Sequence, residues 1–230
     1  MLAGTVLDLP YQLPDPGADQ LLAALDVEGK ITRALQALGP VAGRDVALVG
    51  PSDGVLAGRL AAVEARVLPV AFEDGRLPLE DGSADVVAAA WRAFRGVEDG
   101  ELAEADRVLR PGGRLLVLHD YGRDDISHLR EATLPEYTSW SRRDGPFLRG
   151  GFKIRVVHCF WTWSTLEEAK AALACFGKRG EELAAALHRP RASWNVAVYH
   201  RWRGGETPDD VVPEVPVPVR GSRRLEGSVA

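Results

Sequence analysis

The stretch "VALVGPSDGVLAGRL", residues 46–60, places a continuous apolar run directly before a glycine-containing turn and a helical repeat. The run Val46–Val49 has no polar residue, as expected of a parallel strand that is buried on both faces. Gly50 and Gly54 flank the turn, and apolar residues recur with helical spacing from Val55 onward. The stretch therefore predicts a strand, a tight turn and a helix, the repeating unit of a doubly wound α/β sheet.

Strand and helix patterns alternate along the rest of the chain. We predict further strands at RVLPVA (66–71), from Ala84 in ADVVAAAW, and at RLLVLHDY (114–121), FKIRVVHCFWTW (152–163) and SWNVAVYHRW (193–202). We predict helices at 21–39, 54–65, 99–109, 165–177 and 179–188, the first interrupted near Gly29 and ending at Gly39, with a capping box formed by Ser164 and Glu167 before the fourth. The pattern predicts an α/β fold with a Rossmann-like doubly wound sheet, mostly parallel with an antiparallel edge strand and about six strands.

Composition excludes several classes of protein. The chain has 230 residues, enough for one α/β domain, and a net charge of −5 with mixed signs, which argues against a nucleic-acid partner. Cys159 and Cys175 lie in apolar segments without zinc-type spacing, so we expect two buried, reduced thiols and no metal. No signal-peptide pattern and no apolar run of about 18 residues occur. We therefore expect a cytoplasmic protein with no membrane partner.

Proline-rich ends flank the predicted domain. Residues 1–18 carry three prolines and are expected to form an extended N-terminal arm. The α/β domain is assigned to residues 19–203. Residues 204–230 combine proline, glycine and charge and are expected to be disordered.

Two segments carry a family resemblance. "FEDGRLPLEDGSADVVAAAW" (72–91), followed by "ELAEADRVLRPGGRLLVLHDY" (101–121), is similar to the class I S-adenosylmethionine-dependent methyltransferases, especially the small-molecule, type 11-like group. In that family an acid-containing loop precedes the fourth strand, and "RVLRPGG" enters the fifth. The resemblance covers about residues 42–122 and implies a methyltransferase-like domain, S-adenosylmethionine as the cofactor and a small-molecule acceptor.

The resemblance also implies a cofactor loop, which this chain keeps only in part. The family pattern is an acid followed by three glycines at alternate positions, and Gly50 and Gly54 match two of them. Leu48 replaces the acid and Ser52 the middle glycine, which adds a Cβ where the ligand would lie. Asp53 stands at the helix entrance, where it would cap the helix or contact the cationic methionine group. We expect the turn to keep its backbone path but to bind the cofactor weakly or not at all.

The region after the second predicted strand is short. Only 31 positions separate Gly54 from Asp85, where the family has room for two strands and two helices, so we predict that one strand and one helix are missing. Ala71 occupies the position at which the family places an acid for the ribose hydroxyls. When the chain is aligned with the family pattern at Leu77-Pro78, Glu73 matches the acid that faces the adenine amino group, and Asp74 follows it. The alternative interpretation is that both acids are solvated residues of a turn.

His119 and Asp120 end the fifth predicted strand, close to where the resemblance places the methyl acceptor. Either could act as a general base. The alternative is that strand alternation points one side chain into the core and the other into a loop. Asp124 is interpreted as a helix N-cap.

Two aromatic and basic segments allow two interpretations each. The segment around Trp140, Arg142, Arg143 and Arg149 is either a lid over an anionic substrate or an exposed loop. Trp161 and Trp163 share one face of a strand, which indicates packing in the core or between copies in a homo-oligomer.

Two classes of function therefore remain. One is an S-adenosylmethionine-dependent methyltransferase acting on a small molecule, and the other is an inactive methyltransferase-fold protein that acts in binding or assembly. A nicotinamide-dependent enzyme would need a G-x-G-x-x-G turn and an acid at the end of the second strand, and Ser52 and Ala71 do not supply them.

Overall fold

The computed structural model describes residues 24–50, 55–91, 93–129 and 139–205. The expectations for the N-terminal arm, for Ser52, Asp53 and Gly54, and for the tail beyond Gly205 lie outside these residues.

The described residues form a six-stranded sheet with helices on both faces. Its order is β2-β1-β3-β4-β6-β5. β1, β2, β3 and β4 run parallel, whereas β6 pairs antiparallel with both β4 and the edge strand β5. The predicted mixed, six-stranded Rossmann-like sheet is confirmed. The strands are β1 (Asp45–Val49), β2 (Arg66–Val70), β3 (Ala84–Ala90), β4 (Leu109–Asp120), β5 (Lys153–Thr162) and β6 (Arg191–Trp202).

Helices cover the sheet because their apolar stripes match its two apolar faces. They are α1 (Lys30–Leu38), α2 (Val55–Ala61), α3 (Asp99–Val108), α4 (Pro146–Arg149), α5 (Leu166–Ala174) and α6 (Gly177–Ala186), with 3₁₀ turns at Ile126–Leu129 and Arg203–Gly205. One core cluster joins the sheet to α1, α2, α5 and α6, and the other joins it to α3 and α4. None of the helices described is long and apolar enough to cross a membrane.

The connection from β2 to β3 is as short as the sequence predicts. Residues 71–83 contain no helix or strand and form only an isolated bridge between Glu73 and Arg76. The strand and helix expected to be missing after β2 are absent from this fully described segment. β2 is consequently an edge strand.

Pro69 lies in that edge strand without breaking its ladder. It stands opposite Leu48 in the parallel register with β1. Proline has no N–H, so a ladder at this pair requires that Leu68 and Val70, not Pro69, exchange hydrogen bonds with Leu48. The backbone of Pro69 therefore faces away from β1, on the open side of the edge.

Two local predictions were wrong. α5 is capped by Thr165, whose hydroxyl accepts the Glu168 N–H at 3.1 Å, and not by Ser164 with Glu167. The pattern is shifted by one residue because both adjacent hydroxyl residues can serve as caps. Cys159 is buried as predicted, but Cys175 is exposed at the end of α5. Both thiols are free, as expected.

Candidate functional site

A cavity of about 560 Å³ opens at the carboxyl ends of β1 and β2. Ligands of doubly wound sheets bind at this edge, and the volume lies within the ~300–1,000 Å³ typical of small-molecule sites. Apolar strand ends and two carboxylate residues line it. The lining residues are Val49, Gly50, Pro69, Val70, Ala71, Phe72, Glu73, Ala93 and Glu101.

Gly50 has a structural role at the entrance to this cavity. A Cβ at this position would lie 3.2 Å from the Cβ of Ala90 and 3.3 Å from its carbonyl oxygen. Glycine therefore allows β1 and β3 to end close together, whether or not a ligand is bound. Leu48, at the position where the family has an acid, is buried in the core. It can offer no hydrogen bond to a ligand.

The turn after β2 forms one wall of the cavity. Ala71, Glu73 and Asp74 are all exposed. Asp74 adopts a φ of 48°, and the backbones of Glu73 and Arg76 are hydrogen-bonded to each other across the turn. Ala71 and Glu73 also line a neighbouring cavity of about 750 Å³. The structure thus places Glu73 beside the Gly50 cavity, with Asp74 next to it in the adjoining space.

An ion pair on α3 fixes the rest of this turn. Arg107 donates to the carbonyl oxygens of Leu77 and Leu79, and Glu104 accepts the Leu77 N–H at 2.8 Å. The Arg107 guanidinium beside Glu104 lowers the pKa of that carboxyl to about 2. The wall of the cavity is therefore pinned to a helix although it has no secondary structure of its own.

Glu101 is a site residue that the sequence analysis missed. One of its carboxylate oxygens accepts the Phe94 N–H at 2.9 Å, and the other is buried without a hydrogen bond from any described residue. Burial raises the pKa of Glu101. Its place in the first turn of α3 resembles that of an ordinary solvated helix-start acid. Only the tertiary fold brings it to the cavity.

His119 and Asp120 are both sealed in the core. Both side chains are buried, on opposite faces of β4. The His119 ring packs against Trp140, with ring centroids 4.6 Å apart, and its Nε2 lies 3.3 Å from the Phe94 carbonyl oxygen. The expectation that one of the two would point into a loop is wrong, because the end of β4 is covered on both faces.

Asp120 holds two tryptophans together. Its Oδ1 accepts the indole N–H of Trp91 and that of Trp194, each at 3.1 Å, and the two indoles stack at 5.6 Å. This arrangement uses the carboxylate as a structural acceptor. Neither His119 nor Asp120 lines the cavity beside Gly50.

This chain is similar to known methyltransferases. Residues 25–117 match a family model described as a methyltransferase domain. A type II methyltransferase candidate from Anaeromyxobacter dehalogenans has 20% identity and a TM-score of 0.50, with coverage of 73% of this chain and 94% of that one. A SAM-dependent methyltransferase from Aquifex aeolicus has 17% identity and a TM-score of 0.45, with coverage of 81% and 93%. No curated protein matches the chain.

Residues 25–117 match the methyltransferase domain family. The resemblance predicted from the sequence is confirmed, and the first of the two solved structures supports the same fold. The match ends within β4, so β5 and β6 lie beyond it. At the end of β3, within the matched residues, Trp91 and Phe94 adopt positive φ values of 58° and 60°. Bulky residues rarely occupy this conformation, and such strain is common at binding sites.

Several other candidate residues have structural partners. Asp124 caps the 3₁₀ turn through the Ser127 N–H, as predicted, and Asp125 binds Ser193 of β6. Trp140 is buried, and Arg142 pairs with Asp144 on the surface. Trp161 is fully buried and Trp163 packs on the same cluster, which confirms the core interpretation of this pair. Within the described ranges no acid, histidine and cysteine cluster could hold a metal ion.

Burial of His119 predicts a loss of stability in acid. Desolvation lowers the pKa of His119 from 6.5 to about 3. The folded chain keeps the imidazole neutral while the unfolded chain binds a proton, so this contribution is complete above pH 6.5 and is lost as the pH falls toward 3. We expect a loss of about 1.5 kcal/mol in unfolding free energy between pH 6.5 and about pH 5.

Urea unfolding across this pH range measures the effect. His119→Phe, which keeps a ring against Trp140, should flatten the pH dependence. A residual slope from His200, whose pKa burial lowers to about 4, should remain in both proteins. An unchanged slope in His119→Phe would contradict the assignment.

Proposed function

We propose that this chain is an S-adenosylmethionine-dependent methyltransferase-like protein that holds the cofactor in the cavity beside Gly50 and acts on a small molecule. The observation that carries the proposal is the cavity itself, at the carboxyl ends of β1 and β2. Its volume suits a ligand of this size. Gly50 leaves the backbone accessible there, and Glu73 and Glu101 supply carboxylates.

Three residues of the chain, Gly50, Glu73 and Glu101, would hold this ligand. When bound, S-adenosylmethionine supplies an electrophilic methyl group. Gly50 allows close approach of the ligand to the end of β1, while Glu73 and Glu101 attract positive charge and accept hydrogen bonds. His119 and Asp120 are sealed from the cavity, so the proposal gives neither a role in removing a proton from the acceptor.

Weak affinity follows from the residues that replace the family's acids. Leu48 is buried and Ala71 is apolar, so neither accepts a hydrogen bond. Each lost hydrogen bond to a charged group costs about 1.5–3 kcal/mol, or roughly one to two powers of ten in affinity. We expect a dissociation constant of about 0.1–1 mM for S-adenosylmethionine.

Calorimetric titration of the full chain with S-adenosylmethionine and with its demethylated product tests the proposal. Saturable binding of both ligands, weakened by Glu73→Gln, would support it. Micromolar binding would show that the replaced acids are not needed. No heat up to millimolar ligand would overturn the proposal in favour of an inactive fold.

Restoring one acid should strengthen binding. Ala71 is exposed and lines the cavity, so Ala71→Asp adds a carboxylate with little cost in stability. We expect an affinity gain of about tenfold for S-adenosylmethionine. Ala71→Asn, of the same size but uncharged, is the control and should gain less. Equal affinities for all three proteins would show that the ligand's hydroxyls do not reach this position.

A second candidate function is an inactive methyltransferase-fold protein that acts in binding or in assembly of a homo-oligomer. The hydrogen bonds from Trp91 and Trp194 to Asp120 favour this function. They close the end of β4 by packing, at the place where the family's acceptor would approach. One measurement distinguishes the two functions. Transfer of label from methyl-labelled S-adenosylmethionine to any small molecule in a substrate mixture would exclude the inactive form.

A further inference from the structure

The side chains described around the cavity beside Gly50 carry negative charge only. Glu73 and Glu101 line it, and no lysine, arginine or histidine in the described part of the chain does so. Neither carboxylate forms an ion pair with any residue in the described ranges. The negative charge of this lining is therefore not neutralised by the side chains around it, and it favours a cationic ligand over a neutral one.

The two carboxylates differ in their surroundings. Glu73 is exposed on the turn after β2, where water and salt screen its charge. Glu101 is half-buried at the start of α3, and one of its carboxylate oxygens is buried without a hydrogen bond from any described residue. A charge that is partly removed from water acts more strongly on neighbouring charges. Glu101 is therefore the carboxylate that contributes most to the negative potential inside the cavity.

The structure also ties the charge of Glu101 to one place. Its second carboxylate oxygen accepts the Phe94 N–H at 2.9 Å, and Phe94 is itself buried in the core. Desolvation raises the pKa of Glu101 in spite of this hydrogen bond. The ionised carboxylate thus lacks full compensation in the folded chain, and a cationic group of a ligand in the cavity would supply it.

The two ligands of the proposed reaction differ in charge at a single atom. S-adenosylmethionine has a positively charged sulfonium, whereas the sulfur of its demethylated product is a neutral thioether. When the methyl group leaves, the C–S bond breaks and its electron pair stays on sulfur. The acceptor forms the new bond to carbon with its own lone pair and then releases a proton to water. A cavity that responds to charge at sulfur would therefore distinguish the substrate from the product.

We propose that Glu101 makes this cavity selective for a positive charge at the sulfur position, so that S-adenosylmethionine binds more tightly than its demethylated product. The inference rests on the proposed function, which places this ligand in the cavity, and it assigns Glu101 as the residue that determines specificity. A partly buried carboxylate near the sulfonium supports a preference of at least about fivefold. The product is then released more readily than the substrate.

Titration of the full chain at about pH 8 and low salt, followed by backbone amide chemical shifts, tests the selectivity. The amides of Gly50 and Ala93 report on the cavity, because both residues line it. The ligands are S-adenosylmethionine, its demethylated product and sinefungin, an analogue with a cationic amine in place of the methylated sulfur. Both cationic ligands should bind at least about fivefold more tightly than the demethylated product.

A charge-removing variant assigns the preference to one residue. Glu101→Gln removes the charge but keeps an oxygen that can accept the Phe94 N–H, so the preference for the cationic ligands should disappear. Asp99→Asn is the matched control, because Asp99 lies in the first turn of the same helix, is exposed and does not line the cavity. This control should leave the preference unchanged.

The possible failures of the inference and of the proposed function are distinguishable. Equal or tighter binding of the demethylated product by the wild-type protein would overturn the inference and leave the proposed function standing. Weak binding of sinefungin beside tight binding of S-adenosylmethionine would overturn it as well, because the methyl group and not the charge would be recognised. A preference that survives in Glu101→Gln would overturn the role of Glu101. No shift with any of the three ligands up to millimolar concentration would overturn the proposed function, and the inference with it.

Discussion

Asp120→Ala should destabilise the protein by about 4 kcal/mol. The substitution leaves the indole N–H groups of Trp91 and Trp194 in the core without their shared acceptor. Each buried donor left unsatisfied costs about 1–3 kcal/mol, and the two losses add. Denaturant unfolding followed by tryptophan fluorescence measures the change directly, because the affected residues are themselves the probe.

Asp120→Asn separates a structural role from a catalytic one. The amide oxygen can still accept from both indoles, so we expect a loss of only about 1 kcal/mol. If methyl transfer is detected, this variant should retain it. If Asp120 were a general base, the variant would lose the activity, because an amide does not take up the proton. Asp144→Ala, which breaks an exposed ion pair with Arg142, is the control and should change stability by less than about 0.5 kcal/mol. A stable Asp120→Ala protein would contradict the packing described for this carboxylate.

Substitution of alanine at two helical glycines should change the free energy of unfolding in opposite directions. Gly180→Ala in α6 places a Cβ against the Leu173 carbonyl oxygen and 2.9 Å from the Phe176 Cβ, where the turn between α5 and α6 packs closely. We expect a loss of about 3 kcal/mol from this overpacking, despite the better helix propensity of alanine.

Gly58→Ala in α2 is the matched substitution. A Cβ at Gly58 meets no described atom within 4 Å, so alanine should stabilise the helix by about 0.5–1 kcal/mol. Thermal unfolding of both variants gives the comparison. Equal effects at the two positions would mean that α5 and α6 do not pack as closely as the structure shows.

The fold could be predicted further than the site because the two depend on different information. Alternating apolar runs and turn residues determined the strands, and the short link before Asp85 predicted the reduced sheet. These signals are local. The choice between Ser164 and Thr165 as a cap was not determined, because either hydroxyl fits the local pattern.

The site depends on which surfaces are covered, and a single strand pattern does not contain that information. His119 and Asp120 alternate as expected, but α4 and the tryptophans cover both faces of β4 and bury both side chains. Glu101 has the sequence context of a solvated acid in a helix start, yet the fold brings it to a cavity. Cys175 lies among apolar residues and still emerges at the surface, because α5 ends there.

Pro69 has a consequence for how copies of this protein could associate. Its missing N–H faces the open side of β2, so this border of the sheet offers an interrupted set of donors to any incoming strand. The opposite border, β5, has no such interruption. Joining β5 of one molecule to β2 of the next would repeat without end and produce a fibre, whereas joining β5 to β5 closes after two molecules. A single proline thus disfavours open-ended polymerisation through the sheet.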